Sequence, residues 1–84
     1  MGEVWNLTVA YVLAKIEAGQ DQQVLEEVRR MVGVKYATST YGLYDLHVEV
    51  SFEKMEDLDK FIFQGIRRVR GVKETATLIA FKGI

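Results

Sequence analysis

The chain contains no cysteine, which excludes disulfides, thiolate metal sites and cysteine nucleophiles and fits a reducing compartment. Histidine is nearly absent too. The single one, His47, stands outside any His-x-His or His-Glu-x-x-His spacing, so neither a metal ion nor a metal-dependent reaction is expected. No Gly-rich phosphate loop occurs, and no serine sits in a nucleophile-elbow context. Charge of one sign is also missing. Eleven Lys and Arg against twelve Asp and Glu leave a formal net charge of -1, which provides no field to draw phosphate backbones or anionic lipid. Direct DNA binding and a membrane partner are therefore not expected. The apolar stretch Val9 to Ala14 is far too short to span a bilayer, and Met1 to Asn6 carry no basic leader. Asn6 also stands where a myristoylation motif beginning at Gly2 needs Ser or Thr. A cytoplasmic protein is expected.

What is present is the composition of a folded domain, 49% apolar and 27% charged over 84 residues. That length supports one domain, residues 1–84, with one small core. Such a chain buries only about two-thirds of its unfolded surface, so burial against a second chain would add substantially to its stability.

Leu7 to Ala18 is rich in β-branched and apolar residues and is closed by Gly19, which predicts a strand. Asp21 is placed to cap a helix whose apolar stripe is Val24, Leu25, Val28, Met31 and Val32, with Gly33 to end it. Glu26 and Arg30 on the other side have the spacing of a weak helical ion pair. Val34 to Thr40 predicts a second strand, Tyr41-Gly42-Leu43 a turn, and Tyr44 to Phe52 a third strand. In that third strand Leu46, Val48, Val50 and Phe52 alternate with Asp45, His47, Glu49 and Ser51, the pattern of a half-buried antiparallel strand. A second helix is expected from about Glu53 to Arg70, with Met55, Leu58, Phe61, Ile62, Gly65, Ile66 and Val69 on one side. Phe63 lies off that stripe and suggests a further contact surface. Val72 to Phe81 is the last strand.

The order predicts an α+β fold of the ferredoxin-like βαββαβ type, a four-stranded antiparallel sheet with two helices on one face. Gly33-Val34-Lys35 recurs as Gly71-Val72-Lys73, so each helix ends on a Gly followed by a strand-entering Val. The first strand is apolar on both sides, Ala10, Val12, Ala14 and Ile16 on one and Val9, Tyr11 and Leu13 on the other. Helices cover only one face of such a sheet. Coverage of the other by a second copy is expected.

Few residues carry obvious chemistry. Arg67-Arg68-Val69-Arg70 places cations at a helix C-terminus, where the helix dipole suffices to explain them. Thr40 to Asp45 is more informative. A tight Gly turn exposes backbone N–H groups suited to a carboxylate, and a neighbouring Asp suits an ammonium; an ordinary hairpin turn explains the same residues.

The segments Gly42-Leu43-Tyr44-Asp45 and Gly71-Val72-Lys73-Glu74-Thr75-Ala76-Thr77, in that order and on that predicted topology, resemble the RAM (regulation of amino-acid metabolism) domain of the Lrp/AsnC regulators. The resemblance covers about Thr8 to Phe81. It implies an amino-acid-sensing and oligomerisation module, not an enzyme. It implies homodimers formed by face-to-face sheet packing into a dimeric α+β barrel, assembled further into octamers or decamers with effectors bound between dimers. By the same resemblance the Gly42 turn receives the α-carboxylate, Asp45 the α-amino group, Thr75 and Thr77 line the pocket, and Tyr41 and Tyr44 close it. Family members carry a helix-turn-helix ahead of this domain, whereas only Met1 to Leu7 precede the first strand here. A stand-alone sensing domain that modulates full-length Lrp/AsnC regulators by mixed assembly is the expectation. Two other readings stay open. One is a small monooxygenase-like enzyme built on a dimeric barrel, with His47, Asp45 and Glu49 as its first candidates; the other is an oligomerisation module without a ligand.

Overall fold

The computed structural model describes residues 7–81; the segment Met1–Asn6 lies outside them. Four strands, β1 (Thr8–Ile16), β2 (Val34–Ser39), β3 (Leu46–Phe52) and β4 (Val72–Ile79), form one antiparallel sheet in the order β2-β3-β1-β4. Helix α1 (Asp21–Arg29) joins β1 to β2, and the second helical segment begins as α2 (Met55–Lys60) between β3 and β4. This is the ferredoxin-like βαββαβ arrangement. The most apolar strand, β1, takes an inner position with a neighbour on each edge, which is where a strand without an exposed edge belongs.

Period-two alternation sorts the sheet into two faces. Ala10, Val12, Ala14 and Ile16 of β1, with Leu46, Val48 and Val50 of β3 and Ala37 of β2, are buried. They meet Val24, Leu25 and Val28 of α1 and Leu58, Phe61, Ile66 and Val69 of the second helical segment in one core. The opposite face carries Tyr11 and Leu13, which are half-buried, and Tyr36 and Leu78, which are exposed. Both helices thus lie on one side.

The strands are each shorter than predicted, β3 beginning at Leu46 and leaving Tyr44 and Asp45 in the turn, and α1 departs from prediction in its cap, its end and its side-chain pairing. Asp21 does not cap α1: Gln20 holds the cap position without a side-chain hydrogen bond, and Asp21 is the first helical residue, where its charge favours the positive end of the helix dipole. The helix ends at Arg29, so Met31 only packs against the core edge and Val32 is 88% exposed. Glu26 accepts a bond from Gln22 Nε2 at 2.9 Å, the described partner in place of Arg30.

The second helix is not uniform. After α2 the backbone widens into a π-helical turn at Phe61–Gly65 and closes with a tight 3-10 turn at Ile66–Arg68. Phe61 and Ile66 are five residues apart and would diverge on an α-helix. The π turn, in which the Ile66 N–H reaches the Phe61 carbonyl, brings both side chains into the core. Phe63 is left 57% exposed, with the Arg67 guanidinium 5.1 Å from its ring centroid.

Because Leu58 is 1% exposed and Val32 is almost fully so, two truncations should separate sharply. Leu58→Ala should lower unfolding free energy by about 2–5 kcal/mol, while Val32→Ala should change it by less than about 0.5 kcal/mol. Denaturant titration at one fixed protein concentration checks both.

Candidate functional site

The turn between β2 and β3 is tied at its base and open at its tip. The Thr40 N–H donates to the Asp45 carbonyl at 3.0 Å, and the Thr40 hydroxyl donates to the Tyr44 carbonyl at 2.8 Å. Gly42 has φ of 117°, in the left-handed region that favours glycine, and a Cβ built there would touch nothing within 4 Å. Backbone conformation, not crowding, therefore requires the glycine. Tyr41 is fully exposed and Leu43 nearly so.

Asp45 is anchored to β1 twice. Its N–H donates to the Ala14 carbonyl at 2.9 Å, and its carboxylate Oδ2 accepts the Ile16 N–H at 2.8 Å. The β1–β4 register shifts between Lys15 and Ile16, a bulge that falls beside this bond. Asp45 thus substitutes a side-chain acceptor for the β3 backbone at the last residue of β1, and one carboxylate oxygen remains for another contact.

Thr75 lies opposite Ala14 on β4, while Leu46 lies opposite Ala14 on β3, so Asp45 and Thr75 flank the same end of β1. Thr77 stands one pleat further along, opposite Val12. A recess of about 410 Å³ is lined by Arg67, Val72, Lys73, Glu74 and Thr75. Lys15 ties the two sides together: its Nζ is 3.9 Å from Glu74 Oε2 and 5.7 Å from the centroid of the Tyr44 ring.

The structure therefore puts Tyr44 and Asp45 on the β3 side of this end of β1 and Thr75 and Thr77 on the β4 side, the two threonines paired with the core-facing Ala14 and Val12. Tyr41 and Gly42 stand clear of these groups at the turn tip. The alternative grouping does not converge. His47 packs its ring edge-on against Tyr11, centroids 6.0 Å apart, while the Asp45 carboxylate is directed to Ile16. Among the described residues no three His, Asp or Glu side chains are grouped to hold a metal ion. No helix among them is long and apolar enough to cross a membrane.

The sequence profile of the Lrp/AsnC ligand binding domain matches residues 9–84. The chain belongs to the Lrp/AsnC family. An uncharacterized HTH-type transcriptional regulator of Pyrococcus horikoshii, PH0140, is 27% identical over 71 residues, covering 84% of this chain and 45% of that protein. The chain spans about half the length of the curated relatives it matches. TTHA0845 from Thermus thermophilus has a crystal structure that superposes with a TM-score of 0.88 at 32% identity, covering 92% of this chain and 96% of that one. The transcriptional regulator NMB0573 of Neisseria meningitidis, crystallised as a complex with L-Met, shares the fold with a TM-score of 0.83 at 21% identity, covering all of this chain and 56% of that one.

Within this Lrp/AsnC domain, sequence reasoning missed Lys15 and the backbone role of Asp45. Lys15 carries a visible signal, as the one charged residue in the apolar run from Val9 to Ile16. The Asp45 to Ile16 bond joins residues 29 positions apart and has no such signal.

Two substitutions at Asp45 separate its structural bond from its charge. Asp45→Ala leaves the Ile16 N–H without its acceptor and should cost about 1.5–3 kcal/mol, the scale of a hydrogen bond to a charged group. Asp45→Asn keeps an oxygen in reach of that N–H and should lose clearly less. Thermal unfolding of both variants without added ligand measures the difference.

Proposed function

We propose that this domain binds a free amino acid at an interface between dimers, with the Gly42-Leu43-Tyr44-Asp45 turn, Thr75 and Thr77 as the contributing groups. The observation that carries the reading is the anchored Asp45 carboxylate beside the open Gly42 turn. Asp45, fixed by the Ile16 N–H, offers a second carboxylate oxygen to an ammonium, and Thr75 offers a hydroxyl from the strand on the other side. The open, left-handed turn at Gly42 supplies backbone N–H groups for a carboxylate. A zwitterion matches that set of groups. Tyr41, exposed on the single chain, would close the site together with Tyr44. The L-Met complex of the Neisseria regulator supports the same ligand class.

The proposed assembly is a homodimer closed by the uncovered sheet faces, extended to an octamer or decamer. Full-length Lrp/AsnC regulators are the natural partners for mixed assembly. Binding and assembly then bias one another by the same factor, so an effector that favours one ring size reports its own concentration.

A thermal-shift panel of the common amino acids, followed by calorimetry, tests the reading. A ligand at 100 times its Kd should add about 2.7 kcal/mol of stability. Its affinity should fall in Asp45→Asn, and also in Gly42→Val, where a β-branched residue strains the left-handed turn. An absence of binding by every amino acid, or equal binding by all three proteins, would contradict the proposal.

A further inference from the structure

We infer that the outer flank of the second helical segment, centred on Phe63, is a second surface on which copies of this chain pair, and that it joins sheet-face dimers into the larger assembly; the joining role rests on the dimer proposed above. Phe63 is 57% exposed, and the guanidinium of Arg67, four residues on, lies over its ring, so the two share one flank. Asp59, also exposed, stands four residues before Phe63, the spacing that returns a side chain to the same helical face. This is not the flank that meets α1. Lys60 and Gln64 border the cleft beside Arg30 and Met31 on that side, whereas Arg67 borders β4. Ile79 of β4 pairs with core-facing Ala10 and so lies on the helix side, yet it is 48% exposed. The helical layer thus stops short of the β4 edge and leaves apolar surface there.

The order of charge identifies the occupant of this flank. An acid and a base at equal distances on either side of an apolar residue complement a second copy that runs antiparallel about a two-fold axis. With Phe63 against Phe63 on that axis, Asp59 of each copy faces Arg67 of the other. Exposed Glu56 and Arg70, further out on the acidic and basic sides, extend the same order. The helix dipole alone favours acids early and bases late in a helix, but it gives no reason for an exposed phenylalanine between them. An aromatic centre with charges at its rim is the anatomy of a protein interface. One helix flank is small beside the roughly 1,000 Å² that a stable interface buries, so the contact joins dimers and does not hold two single chains alone. Because this flank and the open sheet face lie on opposite sides of the sheet, two-fold contacts through each alternate from chain to chain. A ring closed in that way contains an even number of chains.

The test is a charge swap read by light scattering across micromolar concentrations of the intact protein. The wild type should assemble beyond a dimer, and less so as salt is raised. Asp59→Arg and Arg67→Asp should each stop at the dimer, because each sets like charges opposite one another, and Phe63→Ser should do the same by removing the apolar centre. Mixing the two charge variants should restore the larger assembly, as should both substitutions in one chain, since either arrangement pairs opposite charges again. A variant that merely folds badly shows no such rescue. A wild-type protein that stops at the dimer, a larger assembly that all three single variants leave intact, or a loss without rescue by the mixture would overturn the inference and leave the sheet-face dimer standing. A wild-type protein that remains a single chain would overturn both.

Discussion

A sheet that is apolar on two faces and covered by helices on one is the constraint on which the rest of this structure depends. Ala10, Val12, Ala14 and Ile16 are sealed beneath the helices, whereas Tyr11 and Leu13, on alternate positions of the same strand, are only half-buried by their own chain. Tyr36 and Leu78 extend that second surface across the sheet and are more than half exposed. Among the described residues no element lies over that second surface. A second copy offers the same surface in return, and a two-fold interface needs only one self-complementary patch.

The candidate site inherits its geometry from the same strand. β1 ends in a bulge, and Asp45 reaches over from the start of β3 to satisfy the Ile16 N–H there. Lys15, one residue earlier, lies between Glu74 of β4 and Tyr44 of the turn. The groups proposed to hold an effector are thus set by the strand that also builds the sheet's open face. On the proposed reading, a ligand held by Asp45 would act on the end of β1, the strand that also carries the open face.

Much of the architecture is legible in the sequence because it depends on short-range patterns. Alternation at Leu46, Val48 and Val50 and helical spacing at Val24, Leu25 and Val28 are imposed by single elements, and the structure has those residues buried as expected. Departures arise where tertiary packing competes with a local rule. Periodicity assigns Val32 to the core, but α1 stops at Arg29 and the chain turns outward before Gly33. The stripe through Phe61 and Ile66 reads as one regular helix, although a five-residue spacing is satisfied only by a widened turn. At the site, the Gly-x-Tyr-Asp and Thr-x-Thr segments are legible through family resemblance, while register sets Asp45 and Thr75 on opposite sides of β1. The contacts of Lys15 and the anchoring of Asp45 depend on register between distant strands, which no local pattern encodes.

The most direct test of the account is the mass of the purified protein in solution, measured by light scattering after size exclusion at micromolar concentration. The uncovered face predicts a dimer or a larger multiple of the 9.6 kDa chain, and Leu13→Glu, which places a charge in that face without touching the helix-side core, should shift the mass towards the single chain. A wild-type protein that stays a soluble 9.6 kDa monomer under those conditions would contradict it.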